Sequence, residues 1–131
     1  HYESTPDFDS TLSKLTSLNV ESSVAINPNT SLTTVQSYLA EINQLLIMSV
    51  NPGYGGQKFI PSSINKIEAA KSLIDQLNLS TKIQVDGGIN SNTISNVFTA
   101  GADIVVAGSA IYNDMKDIET SIKTLKDSII L

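Results

Sequence analysis

Asp86 closes the apolar run Ile83-Gln84-Val85 and is followed directly by Gly87 and Gly88. Two other apolar runs end the same way: Leu45–Val50 opens into Asn51-Pro52-Gly53-Tyr54-Gly55-Gly56-Gln57-Lys58-Phe59, and Asp103–Ala107 opens into Gly108-Ser109. The first run thus ends in an acid and two glycines. Glycines beside it can turn sharply, adopt positive φ and bring bare backbone N–H groups close to an anion. Together these features suit a phosphorylated ligand. The eight basic residues are all lysines, scattered along the chain, so no arginine is present for a bidentate phosphate clamp and backbone and hydroxyl groups must do the holding. Simpler readings stand beside these. Asp86 could accept bonds from its own glycine turn, and a glycine loop after a strand can be only a turn.

The elements that must carry these loops alternate regularly. Tyr2–Ser4 reads as a short strand, and Phe8, Leu12, Leu15 and Leu18 fall on one helical face ending at Asn19. Ser23–Ile26 reads as a buried strand stopped by Asn27-Pro28-Asn29. A helix capped by Thr30 or Ser31 follows, with Leu32, Val35, Tyr38, Leu39 and Ile42 as its apolar stripe. Leu45–Val50 is apolar almost throughout, as a parallel strand covered on both faces requires. Further on come a helix from about Pro61 to Leu77, a strand Lys82–Asp86, and a helix capped by Ser91 or Asn92 and closed by Gly101. Last come a strand Asp103–Ala107, a turn at Ala110–Tyr112, and a terminal helix with Ile118, Ile122, Leu125 and Ile129 on one side.

At 131 residues, 40% hydrophobic and 16% charged, the chain reads as one globular domain. A net charge of −5 and a pI near 4.6 exclude a basic nucleic-acid surface. The lack of cysteine excludes disulfides, thiolate zinc sites and cysteine nucleophiles, and fits a cytoplasmic protein. No apolar stretch approaches the roughly 18 residues that span a bilayer, so no membrane partner is expected. The opening residues lack the pattern of a signal peptide and read as a cut end.

Strict alternation with short connections implies parallel strands, crossover helices and an α/β fold. Two architectures fit: an open parallel five-stranded sheet, or a portion of a (β/α)8 barrel, which usually has roughly 250 residues. The glycine loops favour the barrel, because barrel phosphate sites are frequently built from the loops after the last two strands.

Four blocks of sequence resemble one family, ribulose-phosphate 3-epimerase, a (β/α)8 barrel enzyme that interconverts ribulose 5-phosphate and xylulose 5-phosphate. They are His1-Tyr2-Glu3-Ser4-Thr5, Met48 through Phe59, Val85-Asp86-Gly87-Gly88-Ile89 and Val106-Ala107-Gly108-Ser109-Ala110-Ile111. The resemblance places them on the fourth strand and after the sixth, seventh and eighth. It covers essentially the whole chain and implies an incomplete barrel, residues 1–131, lacking roughly the first three βα units. Departures are small: Tyr54 stands where the family usually has phenylalanine, and Asn29 where glycine is common.

The resemblance implies a catalytic, substrate-binding and metal-binding role for Asp86. It implies substrate contacts for Met48, Gly53, Tyr54, Gly55, Gly56, Gly87, Gly88, Gly108 and Ser109, the later loops gripping phosphate. It also implies a phosphorylated ketopentose substrate, a divalent metal ion (zinc, with iron(II), manganese or cobalt as alternatives) and a place in pentose phosphate metabolism. In the family the partner aspartate and two metal-binding histidines come from the second and third strands, and a substrate-binding serine from the first. Inverting a carbon beside a ketone needs a carboxylate on each face, so this chain alone is expected to be inactive and to bind metal weakly. Its open strand edges predict a homo-oligomer or association with the missing N-terminal part.

Other residues read as structural. His1 is expected to be a hydrogen-bonded interior residue of a barrel strand rather than a metal ligand, Lys58 a solvated charge, and Glu3 and Asp103 structural acids. Two alternative functions remain: an epimerase of a related ketose phosphate such as allulose 6-phosphate, or a non-catalytic phosphate-binding half-barrel. Gly55 and the glycine pair after Asp86 favour the ribulose enzyme over the first.

Overall fold

The computed structural model describes residues 1–129. Its centre is a parallel sheet of four strands, β1 (Ser23–Ile26), β2 (Gln44–Met48), β3 (Lys82–Asp86) and β4 (Ile104–Val106), in the order β1-β2-β3-β4. The helices are α1 (Phe8–Ser17), α2 (Ser63–Gln76), α3 (Ile94–Thr99) and α4 (Ile118–Asp127). Strand order equals chain order with no reversal. A doubly wound sheet reverses at a switch point, whereas crossovers of one hand in one direction leave their helices on one face, as in a barrel wall.

The two faces of the sheet differ accordingly. Side chains alternate along a strand, and on one face Val24, Ile26, Leu45, Ile47, Ile83 and Val85 are no more than 2% exposed. They pack in a single core with Ile67, Ala70 and Ile74 of α2, Ile94 and Val97 of α3, and Leu125 of α4. The opposite face carries Ala25, Leu46, Gln84 and Ile104 in one cross-strand row, and Met48, Asp86 and Val106 in the next. There Ile104 and Val106 stand 39% and 38% exposed. This is the face that a closed barrel turns inward.

Two expected elements take another form. Tyr2–Ser4 is a 3-10 turn rather than a fifth strand. The Ser4 and Thr5 hydroxyls donate to the His1 carbonyl at 3.2 and 2.7 Å, and the amides of Ser4 and Thr5 donate to the carbonyls of His1 and Tyr2. Such local bonds compete with strand pairing. His1 is therefore exposed, facing Glu3 across 3.4 Å, and is not an interior residue.

The segment expected as one helix is two 3-10 turns, Leu32–Thr34 and Gln36–Tyr38. Its β-branched and hydroxyl residues are weak helix formers, and the Ser31 hydroxyl lies 2.8 Å from that of Thr33. The apolar spacing still buries Val35, Leu39 and Ile42.

Glu3 and Asp103 act as structural acids. Glu3 accepts from the Asn27 amide at 2.7 Å and from the Thr30 hydroxyl. Asp103 accepts from the Ile83 amide at 2.8 Å and from Lys82 at 3.2 Å, stitching β3 to the start of β4.

Candidate functional site

At the C-terminal ends of β2, β3 and β4 the three glycine loops surround a cavity of about 370 Å³. Met48, Gly53, Tyr54, Gly55, Gly56, Asp86, Gly87, Gly88, Gly108 and Ser109 all line it. His1 and Lys58 do not. Lys58 is exposed.

The floor follows from strand register. Met48 pairs with Asp86 and Asp86 with Val106, so a thioether, a carboxylate and an isopropyl group stand side by side on the open face. Asp86 is the one charged residue of the lining. Its carboxylate accepts no hydrogen bond and joins no ion pair among the described residues, so it is not consumed in capping its own glycine turn. It faces the cavity without an internal partner among the described residues.

The walls are backbone. Gly87 and Gly88 have φ of 123° and 65°, a region that disfavours side chains. A β-carbon on Gly87 would lie 2.5 Å from Val50 Cγ2, and one on Gly88 would lie 2.2 Å from the Phe59 nitrogen. The β3 turn can therefore lie against the β2 loop only because both residues lack side chains. The amides of Gly88, Gly108 and Ser109 donate to no acceptor among the described residues. Unpaired amides at a cavity mouth are ready donors for an anion. The longer glycine loop is held in shape by Gln57, whose Nε2 donates to the carbonyls of Asn51 at 2.6 Å and Tyr54 at 2.9 Å. Tyr54 itself projects outward, 76% exposed.

Several lining residues escaped the sequence reading. Val106 could have been found from strand alternation, since it sits two residues before Gly108 and in register with Asp86. Gln57 was visible only as part of a motif. Val50 and Ile89 line the cavity too, and nothing in their type distinguishes them from core residues.

Parallel strands in chain order, with a cavity at their carboxyl ends, define a segment of a (β/α)8 barrel bearing its site on the usual face. The model of the ribulose-phosphate 3 epimerase family matches residues 1–112, and the chain belongs to this family. It is 41% identical over 130 residues to ribulose-phosphate 3-epimerase of Aquifex aeolicus, covering 99% of this chain and 58% of that protein. The enzyme of the same name from Methanocaldococcus jannaschii is 40% identical over 91% of this chain and 50% of its own length. That of Escherichia coli K12 is 34% identical over 98% and 57%. The chain thus spans about half the length of these curated relatives. Among solved structures, a crystal structure of 3-hexulose-6-phosphate synthase superimposes with a TM-score of 0.64 over 92% of this chain and 55% of that one, at 22% identity. That likeness shows the barrel fold alone. No helix of the described residues is long and apolar enough to cross a membrane.

Proposed function

We propose that this chain supplies one half of the active site of a C3 epimerase acting on D-ribulose 5-phosphate to give D-xylulose 5-phosphate. The observation that carries the reading is the meeting of Met48, Asp86 and three glycine loops in one cavity. The C3 hydrogen lies beside a ketone, so its removal leaves an enediolate that can be reprotonated on either face. Inversion needs one acid/base group on each face, and Asp86 serves one of them. Met48 and Val106 form the apolar flank that limits water at the reacting carbon. The free amides of Gly88, Gly108 and Ser109 bind the phosphate, which orients the sugar chain toward Asp86. The second carboxylate comes from a further barrel segment that pairs with the open edges of this sheet, β1 and β4, and faces Asp86 across the barrel interior.

A divalent ion, zinc first and iron(II), manganese or cobalt otherwise, belongs to this reading as a component of the completed barrel. The described residues alone do not fit it: Asp86 offers a single carboxylate, and no three His, Cys, Asp or Glu side chains gather among them. No proton transfer assigned to Asp86 depends on it.

Epimerisation of D-ribulose 5-phosphate with added divalent metal tests the reading directly. We compare the 131-residue chain with a barrel-complete protein carrying three preceding βα units. The expected result is turnover by the barrel-complete protein and none by the shorter chain. Turnover by the shorter chain would overturn the two-carboxylate account. A barrel-complete protein that binds phosphate without turnover would leave only the phosphate-binding reading.

A further inference from the structure

We propose that Ser49 is a positioning residue that sets the direction of Asp86 and the aim of the Gly87-Gly88 amides; this rests on the acid/base role given to Asp86 above. Ser49 follows β2 directly and is fully buried, at 0% exposure. A hydroxyl in such a place is unfavourable unless it is hydrogen-bonded. Ser49 uses every polar group it has on the site. Its Oγ lies 2.7 Å from the Gly87 carbonyl and 3.0 Å from the Asp86 carbonyl. Its amide donates to the same Asp86 carbonyl at 2.8 Å, and its own carbonyl accepts from the Ile60 amide at 2.9 Å.

One residue therefore grips the two peptide units after the carboxylate and, on its other side, the return end of the long glycine loop. The contacts on either side are equally tight. Gly87 lies against Val50, and Gly88 against the Phe59 backbone, with no room for a β-carbon at either. The hydroxyl proton can serve only one carbonyl at a time. Replacing Ser49 with alanine would leave the Gly87 carbonyl without a partner while the Asp86 carbonyl kept the Ser49 amide. The peptide between Gly87 and Gly88 would then be free to tilt. Because that peptide carries the Gly88 amide and follows Asp86 by one residue, both the phosphate donor and the carboxylate would lose their fixed geometry. Ser49 does not itself line the cavity, so its influence passes through the backbone groups of Asp86 and Gly87, which do.

The test uses the barrel-complete protein and its Ser49→Ala, Ser49→Cys and Asp86→Asn variants, with two readouts. For Ser49→Ala, exchange of the paired amides within residues 86–90, such as that of Asn90 on the Thr93 hydroxyl, should rise about tenfold, the loss of one buried hydrogen bond, while exchange in β1 stays unchanged. Its kcat for ribulose 5-phosphate should fall about 10- to 100-fold, the size expected when a catalytic group is misplaced by about an ångström. Ser49→Cys, which keeps a weak donor, should lie between parent and alanine in both readouts, and carries the same comparison if the alanine variant does not fold. Unchanged exchange at 86–90, or a rise spread evenly over the chain, would overturn the assignment. So would an unchanged kcat in a protein whose Asp86→Asn variant is inactive. If Asp86→Asn is itself fully active, the acid/base reading fails instead, and the exchange readout alone decides whether Ser49 holds the turn.

Discussion

Met48 and Asp86 are register partners at the carboxyl ends of adjacent parallel strands, and both face the same cavity. The pairing puts an apolar thioether against a carboxylate that has no hydrogen-bond partner among the described residues. A carboxylate left without internal partners faces whatever enters the cavity. Residues on the other face of the same strands, Ile47 and Val85, are fully buried against the helices. A one-residue slip of either strand would exchange the two sets. The hydrophobic core therefore fixes which face carries Met48 and Asp86 toward the cavity.

The glycines around the cavity should respond unequally to alanine. Gly88 combines φ of 65° with a 2.2 Å approach to the Phe59 nitrogen. Gly88→Ala should therefore cost about 1–3 kcal/mol of stability through backbone strain, with loss of phosphate binding. Gly55 has open space around its β-position and no φ in the left-handed region, and Gly55→Ala should stay within about 0.5 kcal/mol of the parent. Urea unfolding of the two variants checks the contrast. Equal midpoints would contradict the packing of the β3 turn on the β2 loop.

Acid should loosen two points outside the cavity. Asp117 caps α4 and is held below the ordinary aspartate range by the Thr120 amide and then its hydroxyl, both at 2.8 Å. Burial pushes Glu3 upward, but the Asn27 amide and Thr30 hydroxyl outweigh it and hold it below its ordinary value. A depressed folded value means that the stabilising contribution is complete above the ordinary carboxylate range. It is lost as the pH falls through the lowered value, hence below about pH 4. The amides of Asn27 and Thr120 should keep their exchange protection down to that range. Loss of protection between about pH 5 and 7 would contradict these bonds.

The open sheet face makes a prediction about association. Ile104 and Val106 lie on the edge strand, on the face opposite the core, and both are more than a third exposed. A shorter chain alone should self-associate through this face and edge, and Ile104→Lys should reduce the association without touching the cavity. Sedimentation of the 131-residue chain and its variant measures this. A cooperatively unfolding monomer at all concentrations would argue against an uncovered barrel interior.

Much of the site was legible because it depends on backbone more than on side-chain geometry. Lys82–Asp86 matches its strand residue for residue, since an alternating run closed by an acid and two glycines leaves little freedom. The glycine blocks likewise mark where strands end. Tyr2–Ser4 and Leu32–Tyr38 were harder. In both, hydroxyl groups satisfy the backbone locally, a competition that apolar spacing does not register. Ser49 shows the same limit in the core. Within an apolar run it looks like a tolerated small residue, and only the three-dimensional pairing of β2 with β3 brings its hydroxyl to the Asp86 and Gly87 carbonyls.

In the proposed function Asp86 transfers the C3 proton on one face of the substrate while a second group serves the other. Hydrogen exchange at C3 in deuterated water, measured with each epimer in the barrel-complete protein and its Asp86→Asn variant, tests it most directly. The account predicts that the parent introduces deuterium while interconverting both epimers. The variant should lose interconversion by about 10²- to 10⁴-fold, the range for removing a general acid/base group, yet still exchange the C3 hydrogen of the one epimer that its remaining base can reach. Interconversion retained at the parent rate by Asp86→Asn would contradict the account.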